Sequence, residues 1–576
     1  MALMLLTELR VQNFRGIKKL DLKLDSSTVL IGENNCGKST ILAAIRCALE
    51  QARHRRSPAF DDFDYHLTSA ANDPHFAPPI TIDLIFREPP EDEWPPELVQ
   101  SLNDIISFDD NDGRFIWLRA SSQWEETTSD FVSKAEFLDK DQNPLTGRGA
   151  HPANLNALQR LRPFFYLSAL RDAGKEFSKQ SQYWGSFLRG SSISRELKTQ
   201  LETELSEINA KVVQAHEPFE SIKSQLSRLQ QLIPTSNLTD VSIEAVPGRL
   251  FDMLSRTQVN ISSATGAKLP IAKHGEGTQS LSVLLLFDAF LKSRLVKAFE
   301  RSSTPIVAIE EPEAHLHPCA IRTLWKTIDS LSGQKIVSSH SGDLLAEVPA
   351  EKVRRLYRVN GGIEVGQLKA TTLNATQLRM FNHHVRTSRG ELLFANCWLL
   401  CEGESEILLL RKCADLIGAD FSQWGVRLVE YRNGGDIALY LKVASDFGIN
   451  WHCFSDNDRQ GKLDHRKIRD HLNGRQEADH LTVTPAANLE QYLATVGIFP
   501  IYEAELTDQI RKNLITNVGD AGYVQDVVAQ VINVKKKPDL ITKVAQYIEQ
   551  QGAAAIPPVI LTAIQKAVAL AGGTIP

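Results

Sequence analysis

Hydrophobic and polar positions along the first fifty residues predict strand, turn, strand, glycine loop and helix. "LTELRVQNF" and "STVLIG" read as strands, and "KSTILAAIRCALEQA" carries Ile41, Ile45 and Leu49 at helical spacing. "ITIDLIF" (80–86) and "FIWLR" (115–119) predict further strands, separated by the Pro-rich acidic loop "EPPEDEWPP". The pattern changes at 193–233. Leu197, Leu201, Leu205, Ile208 and Val212 recur every three to four residues, and Ile222, Leu226, Leu229 and Ile233 resume after "HEPFE". This predicts a helical hairpin with its break near Pro218, inserted into an α/β domain. Residues 241–369 return to a mixed α/β pattern, and 370–396 read as a helical connection. From Cys397 the chain alternates strand and helix: "CWLLCEG", "ESEILLLRKCADLIG", "VRLVEY", "DIALYLKVASDFG", "WHCFSD". That alternation predicts a small parallel sheet, followed by a largely helical tail.

Composition narrows the class. The 576 residues suffice for several domains, and 42% hydrophobic with 23% charged residues is ordinary for a globular chain. A net charge of −6 does not advertise a nucleic-acid binder, though a local basic patch would suffice. The seven cysteines are scattered without a CxxC pair, which argues against a zinc ribbon and suits a reducing compartment. The apolar start "MALMLLTELRVQNFRG" lacks a basic leader region and reads as a first strand. No apolar run reaches the roughly 18 residues of a membrane span, so a cytoplasmic protein without a membrane partner is expected.

"GENNCGKST" (32–40) matches GxxxxGK[ST] in full and lies between a predicted strand and helix. Loop and helix N–H groups cradle phosphate in such a turn. Lys38 would reach the β- and γ-phosphates, Ser39 would hold Mg²⁺, and Gly32, Asn35, Gly37 and Thr40 complete the expected ATP contacts. "TPIVAIEEPEAHLHP" (304–318) is an apolar strand ending in carboxylates. Glu310 takes the magnesium-side position, where Asp is usual, and Glu311 the position that polarises the attacking water. "HGEGTQSLSVLLLF" (274–287) offers Gly277, Gln279 and Ser280 at a helix start suited to contacting a γ-phosphate across a dimer interface. "KIVSSHS" (335–341) ends a strand with His340, a candidate γ-phosphate sensor. A lone histidine or glycine turn is more often structural; the order of these pieces carries the reading.

That ordered set resembles the ABC-type ATPase head of the RecF and SMC class, including "RVQNFRGI" at the start. Such heads bind ATP between two copies, so the resemblance implies at least a dimer. It also gives the helical insert a role: a helix pair packed on its own head is the plain reading, and a dimerisation arm between the head halves is the reading favoured here.

"FSDNDRQG" (454–461) places Asp456 and Asp458 at the C-terminal end of a predicted strand, the edge where open parallel sheets bind ligands. Side chains two apart on a strand share a face, and aligned carboxylates repel unless a cation lies between them. "LLCEGESE" adds Glu402 at a strand-to-helix turn and Glu406 one helical turn later, and "ANLEQYL" adds Glu490. An all-oxygen set suits Mg²⁺ or Mn²⁺, in one site or two. A solvated acidic loop is the plain alternative; glycine, spacing and strand position favour a metal site.

EGxxE followed about fifty residues later by DxD resembles a Toprim domain. An ABC-type head with an inserted arm and a C-terminal Toprim domain resembles the OLD (overcoming lysogenization defect) family, which includes the Gabija defence nucleases. "ELLFANCWLLCEGESE" is particularly close to that family's entry into Toprim. The resemblance implies an α/β chain divided as 1–172 (ATPase, first half), 173–238 (helical arm), 239–370 (ATPase, second half), 371–396 (linker), 397–500 (Rossmann-like Toprim core) and 501–576 (helical extension). It implies an ATP-binding DNA endonuclease active in antiphage defence, as a homodimer or homotetramer, with a UvrD-like helicase as an expected partner. Glu402, Asp456 and Asp458 would hold the first metal, and Glu406 and Glu490 would help bind the second. Family members also carry a lysine that stabilises charge on the scissile phosphate; Lys535, Lys536 and Lys537 are candidates, with Lys537 favoured. Three adjacent lysines would equally serve a DNA backbone.

Three rivals stand beside this. A RecF/SMC-like DNA-binding ATPase with a non-cleaving Toprim domain is the main one, and the complete carboxylate set weighs against it. A topoisomerase needs a nucleophilic tyrosine on a separate domain, a place that Tyr431 and Tyr492 do not fill. A primase would usually bring a zinc module.

Overall fold

The computed structural model describes residues 4–50, 60–69, 73–89, 92–168, 173–177, 181, 184, 187, 193–227, 242–254, 257–262, 266, 268–293, 303–388, 390–432 and 435–575. The first sheet is antiparallel. It runs β2 (Ile17–Lys23), β1 (Leu5–Phe14), β4 (Ile80–Arg87), β6 (Arg114–Glu125) and β5 (Ser107–Phe108), with β7 (Asp130–Leu138) also pairing with β6. The second carries the nucleotide motifs. Its order is β14 (Gly362–Gly366), β13 (Val353–Val359), β3 (Ser27–Gly32), β12 (Gln334–Ser338), β11 (Ile306–Glu310) and β8 (Phe164–Leu167). Pairing is parallel throughout except at the β13–β14 hairpin. A short hairpin, β9 (Asn260–Ser262) with β10 (Lys268–Pro270), stands apart.

The third sheet is parallel and four-stranded. Its order is β16 (Val426–Glu430), β15 (Cys397–Cys401), β17 (Asn450–Ser455) and β18 (Leu481–Val483). The expected strand–helix alternation is present, with helices Glu404–Leu416 and Ile437–Phe447 linking successive strands. Helices Tyr523–Val534, Lys537–Gln551 and Pro558–Leu570 follow, as the expected helical tail.

Period-two alternation sorts the core into layers. Leu30, Ile306, Ala308 and Ile336 face the antiparallel sheet and helix Lys38–Glu50. Val29, Ile31, Val307, Ile309 and Val337 face the opposite way, into a second core. That core also receives Trp398, Leu400, Trp451 and Cys453 from one face of the four-stranded sheet. Cys397, Leu399, Cys401 and Phe454 point the other way, onto the C-terminal helices. The head and the C-terminal unit therefore share one apolar layer.

Polar contacts pin the same junction. Arg355 on β13 is buried, and its guanidinium donates to the carbonyls of Phe447, Gly448 and Ala395 and to the Asn396 side chain, at 2.8–3.3 Å. A carbonyl left unpaired at the buried end of helix Ile437–Phe447 would be costly, and Arg355 satisfies it from the other unit. Gly448 closes that helix with φ +64, and a Cβ there would lie 2.1 Å from the Tyr357 ring of β13. Asn396, one residue before β15, donates its amide to Glu33 of the nucleotide loop at 3.0 Å.

The inserted helices are Arg195–Ala215 and Glu217–Ser227. The break expected near Pro218 centres on His216, an extended residue, and Pro218 falls in the first turn of the second helix, where its missing N–H costs nothing. Leu205 is buried, whereas Leu197, Ile208, Val212 and Ile222 are exposed. The Leu226 side chain, Leu229 and Ile233 lie outside the described residues. Among the described residues no helix is long and apolar enough to cross a membrane, and all seven cysteines are free.

Gly448→Ala should destabilise the whole chain in urea unfolding, by more than the roughly 1 kcal/mol expected from backbone strain alone. Gly474→Ala, also at positive φ (+84) but with open space around it, supplies the strain-only reference.

Candidate active site

Two sites sit on the two parallel sheets. In the head, β3 ends at Gly32, where φ is +145 and a Cβ would lie 2.2 Å from the Leu356 carbonyl oxygen of β13. Only glycine allows strand and loop to approach this closely. Lys38 is buried at the first position of its helix and donates to the Gly32 and Glu33 carbonyls at 2.8 Å each. Burial lowers its pKa despite the nearby Glu311 and Glu33. The Arg358 guanidinium donates to the Asn35 carbonyl at 2.7 Å, steadying the loop from β13.

Parallel pairing of β3, β12 and β11 delivers Ser39, His340 and the two glutamates to one edge. The Ser39 hydroxyl donates to Glu310, whose other oxygen accepts from Tyr166 of β8. The longer glutamate, in place of the usual aspartate, is thus anchored at both oxygens. Burial, and then Glu310, raise the Tyr166 pKa, so it remains a donor. Glu311 adopts φ +42, and one of its carboxylate oxygens lies 3.6 Å from His340 Nε2. Burial and then the Lys38 charge lower the His340 pKa. The structure brings Lys38, Ser39, Glu310, Glu311 and His340 together. Gln279 instead donates to the His274 and Ala272 carbonyls, and a Cβ on Gly277 would lie 2.7 Å from the His315 carbonyl oxygen. Ser280 is buried in the helix that these residues begin.

The second site lies at the carboxyl edge of the four-stranded sheet. Glu402 follows β15 directly, Asp456 follows β17, and Glu406 and Glu490 lie on helices Glu404–Leu416 and Leu489–Leu493. Glu402, Asp456 and Glu490 are buried, and Glu406 is half-buried. Burial, reinforced by Glu406, Glu402 and Glu490, pushes Asp456 up to about 8. Burial, then Glu490 and Glu402, push Glu406 up to about 7 although its own helix start lowers it. Glu402 is also raised, by burial and by Asp458, against the lowering effect of Arg432. These carboxylates feel one another through a medium that screens poorly.

Each acid has a local partner, and that of Asp456 is the Thr484 hydroxyl, which donates to it at 3.5 Å. Asp458 caps helix Arg459–Asp470 by accepting from Gly461 N–H at 2.6 Å. Glu406 accepts from Gly403 N–H at 3.0 Å, and Glu402 accepts from the Ser455 hydroxyl at 3.2 Å. Glu402 also pairs with Arg432, and Glu490 pairs with Lys537 at 3.0 Å. Of the three candidate lysines, Lys537 is thus the one beside the acids; Lys535 pairs with Glu505 at 3.2 Å, and Lys536 stands at the residue before helix Lys537–Gln551 without a side-chain capping bond.

Sequence reading missed Glu430, Arg432 and Ser455. Glu430 ends β16 opposite Cys401, and its carboxylate lies near Gly403 beside that of Glu406. Its signal was available: "VRLVEY" also ends in an acid at the same sheet edge. Arg432 gave none, because pairing across a sheet edge leaves no local pattern.

The donor set is all oxygen, as a hard divalent cation requires. Among the described residues, no group of three or more His, Cys, Asp or Glu side chains is arranged to hold a metal ion. Arg432 and Lys537 pair instead with Glu402 and Glu490. The side-chain chemistry suits a divalent ion, which Glu402, Glu406, Asp456, Asp458 and Glu490 would hold.

A P-loop head is thus packed against a parallel sheet whose carboxyl edge is acidic. Residues 4–391 match the family described as "Protein of unknown function (DUF2813)", and residues 393–458 match "Overcoming lysogenization defect protein-like, TOPRIM domain". The chain belongs to the DUF2813 family, and its Toprim domain is of the OLD type. It is 27% identical to "Uncharacterized protein YbjD" of Escherichia coli (strain K12), over 99% of this chain and 100% of that one. It is 23% identical to "Endonuclease GajA" of Bacillus cereus (strain VD045), over 83% of this chain and 80% of that one. It is 24% identical to "OLD nuclease" of Thermus scotoductus, over 95% and 99%.

The raised carboxyl groups predict a pH signature. An acid with a raised folded pKa favours the folded state most when protonated, so its contribution fades as pH rises from the ordinary 3.8 to about 8 for Asp456. Chelator-treated protein should therefore lose urea stability across that window. Asp456→Asn should flatten the loss, and Mg²⁺ should offset it most at the alkaline end.

Proposed function

We propose that this chain is a metal-dependent DNA endonuclease whose Toprim site is governed by an ABC-type ATPase head. The observation that carries the reading is the convergence of Glu402, Glu406, Asp456 and Glu490 at the carboxyl edge of a parallel sheet, with Lys537 among them. Glu402, Asp456 and Asp458 would hold the first Mg²⁺ or Mn²⁺, and Glu406, Glu490 and the newly found Glu430 would serve the second. When bound, these ions supply Lewis acidity to the phosphodiester and to its attacking water. The protein's own part is placement. Ser455 orients Glu402, the Asp458 cap fixes the turn, and the Lys537 ammonium offsets charge growing on the scissile phosphate.

In the head, Lys38 neutralises ATP phosphates, Ser39 and Glu310 hold the nucleotide's Mg²⁺, and Glu311 with His340 orients water. Gly32, Asn35, Gly37 and Thr40 shape the phosphate cradle. Gly277, Gln279 and Ser280 act on the nucleotide of a second copy, which makes the working form a homo-oligomer. The exposed apolar positions of the inserted helices support their role as its dimerisation arm. The junction from Glu33 through Asn396 to Arg355 supports communication between nucleotide loop and nuclease. Antiphage defence in the cytoplasm is the setting we infer from the OLD-type Toprim domain.

Supercoiled plasmid should be cut by the wild type with Mg²⁺ or Mn²⁺, and not by Asp456→Ala. Lys537→Ala should slow cutting about 10²-fold, the scale of losing one charge-stabilising donor. Lys38→Ala should remove any effect of added ATP on the cutting rate. ATP-dependent DNA binding without cutting in either metal would overturn the nuclease reading in favour of a non-cleaving, RecF/SMC-like ATPase.

A further inference from the structure

Arg432 lies two residues beyond Glu430, at the same sheet edge as the acids. Its guanidinium pairs with Glu402, and its side chain is 42% exposed whereas that of Glu402 is 8% exposed. Tyr431, next to it, is buried, and its hydroxyl donates to Asp464 at 3.0 Å, which fixes the backbone from which Arg432 projects. Arg432 thus reaches inward to a buried acid from a position open to solvent. Glu402 is buried near other carboxylates, and the guanidinium is the cation that pairs with it.

A divalent cation on Glu402 supplies the same charge and repels the guanidinium. Arginine stays protonated when displaced, so it must find another anion. The anion that approaches this edge is the phosphodiester drawn to the same acids and metal. A guanidinium fork matches two phosphate oxygens, as it matches a carboxylate.

We propose that Arg432 is a substrate-binding residue with two alternating partners. It holds the charge of Glu402 while the metal is absent, and it clamps a DNA phosphate beside the cut once the metal takes Glu402. Metal and guanidinium compete for one carboxylate, and the metal's arrival releases the clamp to the substrate. This rests on the Toprim reading of the site.

The test uses the full-length protein and the variants Arg432→Gln and Arg432→Lys. Mn²⁺ binding is measured by electron paramagnetic resonance, DNA binding in Ca²⁺, and cleavage as separate kcat and KM. Arg432→Gln should bind Mn²⁺ about tenfold more tightly, because its competitor is gone, and bind DNA about tenfold more weakly, with KM rising more than kcat falls. Arg432→Lys, which keeps the charge but not the fork, should restore Mn²⁺ competition better than DNA binding. Unchanged or weaker Mn²⁺ binding by Arg432→Gln overturns the placeholder, and unchanged DNA binding overturns the clamp. If Arg432→Gln fails to fold, Arg432→Lys decides: DNA affinity and KM equal to wild type overturn the clamp. If the wild type never cuts, the nuclease reading falls, while the Mn²⁺ and DNA-binding comparisons still decide the role of Arg432.

Discussion

Like charges brought into a poorly screened interior must be neutralised by protons or by cations, and this constraint organises the C-terminal unit. Glu402, Asp456 and Glu490 are buried within one electrostatic neighbourhood, with Glu406 half-buried beside them. The fold supplies three remedies. Backbone N–H groups at helix starts serve Glu406 and Asp458, a raised pKa keeps a proton on Asp456 over part of the neutral range, and Arg432 and Lys537 meet Glu402 and Glu490. Such a cluster is costly unless cations meet it, and an all-oxygen donor set of this kind suits a hard divalent ion.

The head obeys a different constraint, because its loop must meet phosphate with backbone N–H groups while its sheet stays packed on both faces. β3 lies between β12 and β13, and β11 beyond β12, so the phosphate loop, Glu310, Glu311 and His340 emerge at one edge. β13 then continues the argument into the second unit. One of its side chains, Arg355, completes a helix end there, and Tyr357 fills the space that Gly448 leaves. The nucleotide loop and the acidic edge are thus separated by packed, hydrogen-bonded structure and not by a tether.

Much of this was legible in the sequence because it rests on local pattern. Strand–loop–helix at 27–50, the acidic strand end at 310–311 and the EGxxE and DxD strand ends each depend on neighbours along the chain, and the structure places their side chains at two sheet edges. What was not legible depends on partners far apart in sequence. Glu402 with Arg432, Glu310 with Tyr166, and Glu33 with Asn396 are set by strand order and packing, which periodicity does not encode. The break at His216 was displaced from Pro218 for a local reason: proline is tolerated in a first helical turn, so it marks the start of the second helix and not the gap before it. Gln279 and Gly277 contact their own side of the head, with backbone partners that the motif at this helix start does not signal.

The close approach of Gly448 to Tyr357 also bears on how such a protein can change over generations. A side chain at 448 and a ring at 357 cannot both be accommodated, so the two positions must be inherited as a pair although they belong to different units. At Gly366 a Cβ would lie 2.4 Å from the Phe447 carbonyl oxygen, a backbone atom, so close approach of the units there requires glycine whatever side chain stands at 447. Recombination that joined this head to a Toprim domain from a distant lineage would bring mismatched halves of the 357/448 pair. The boundary visible in the sequence near residue 396 is therefore a poor place for natural exchange, and change at the acidic edge is better reached by substitution than by trading the domain.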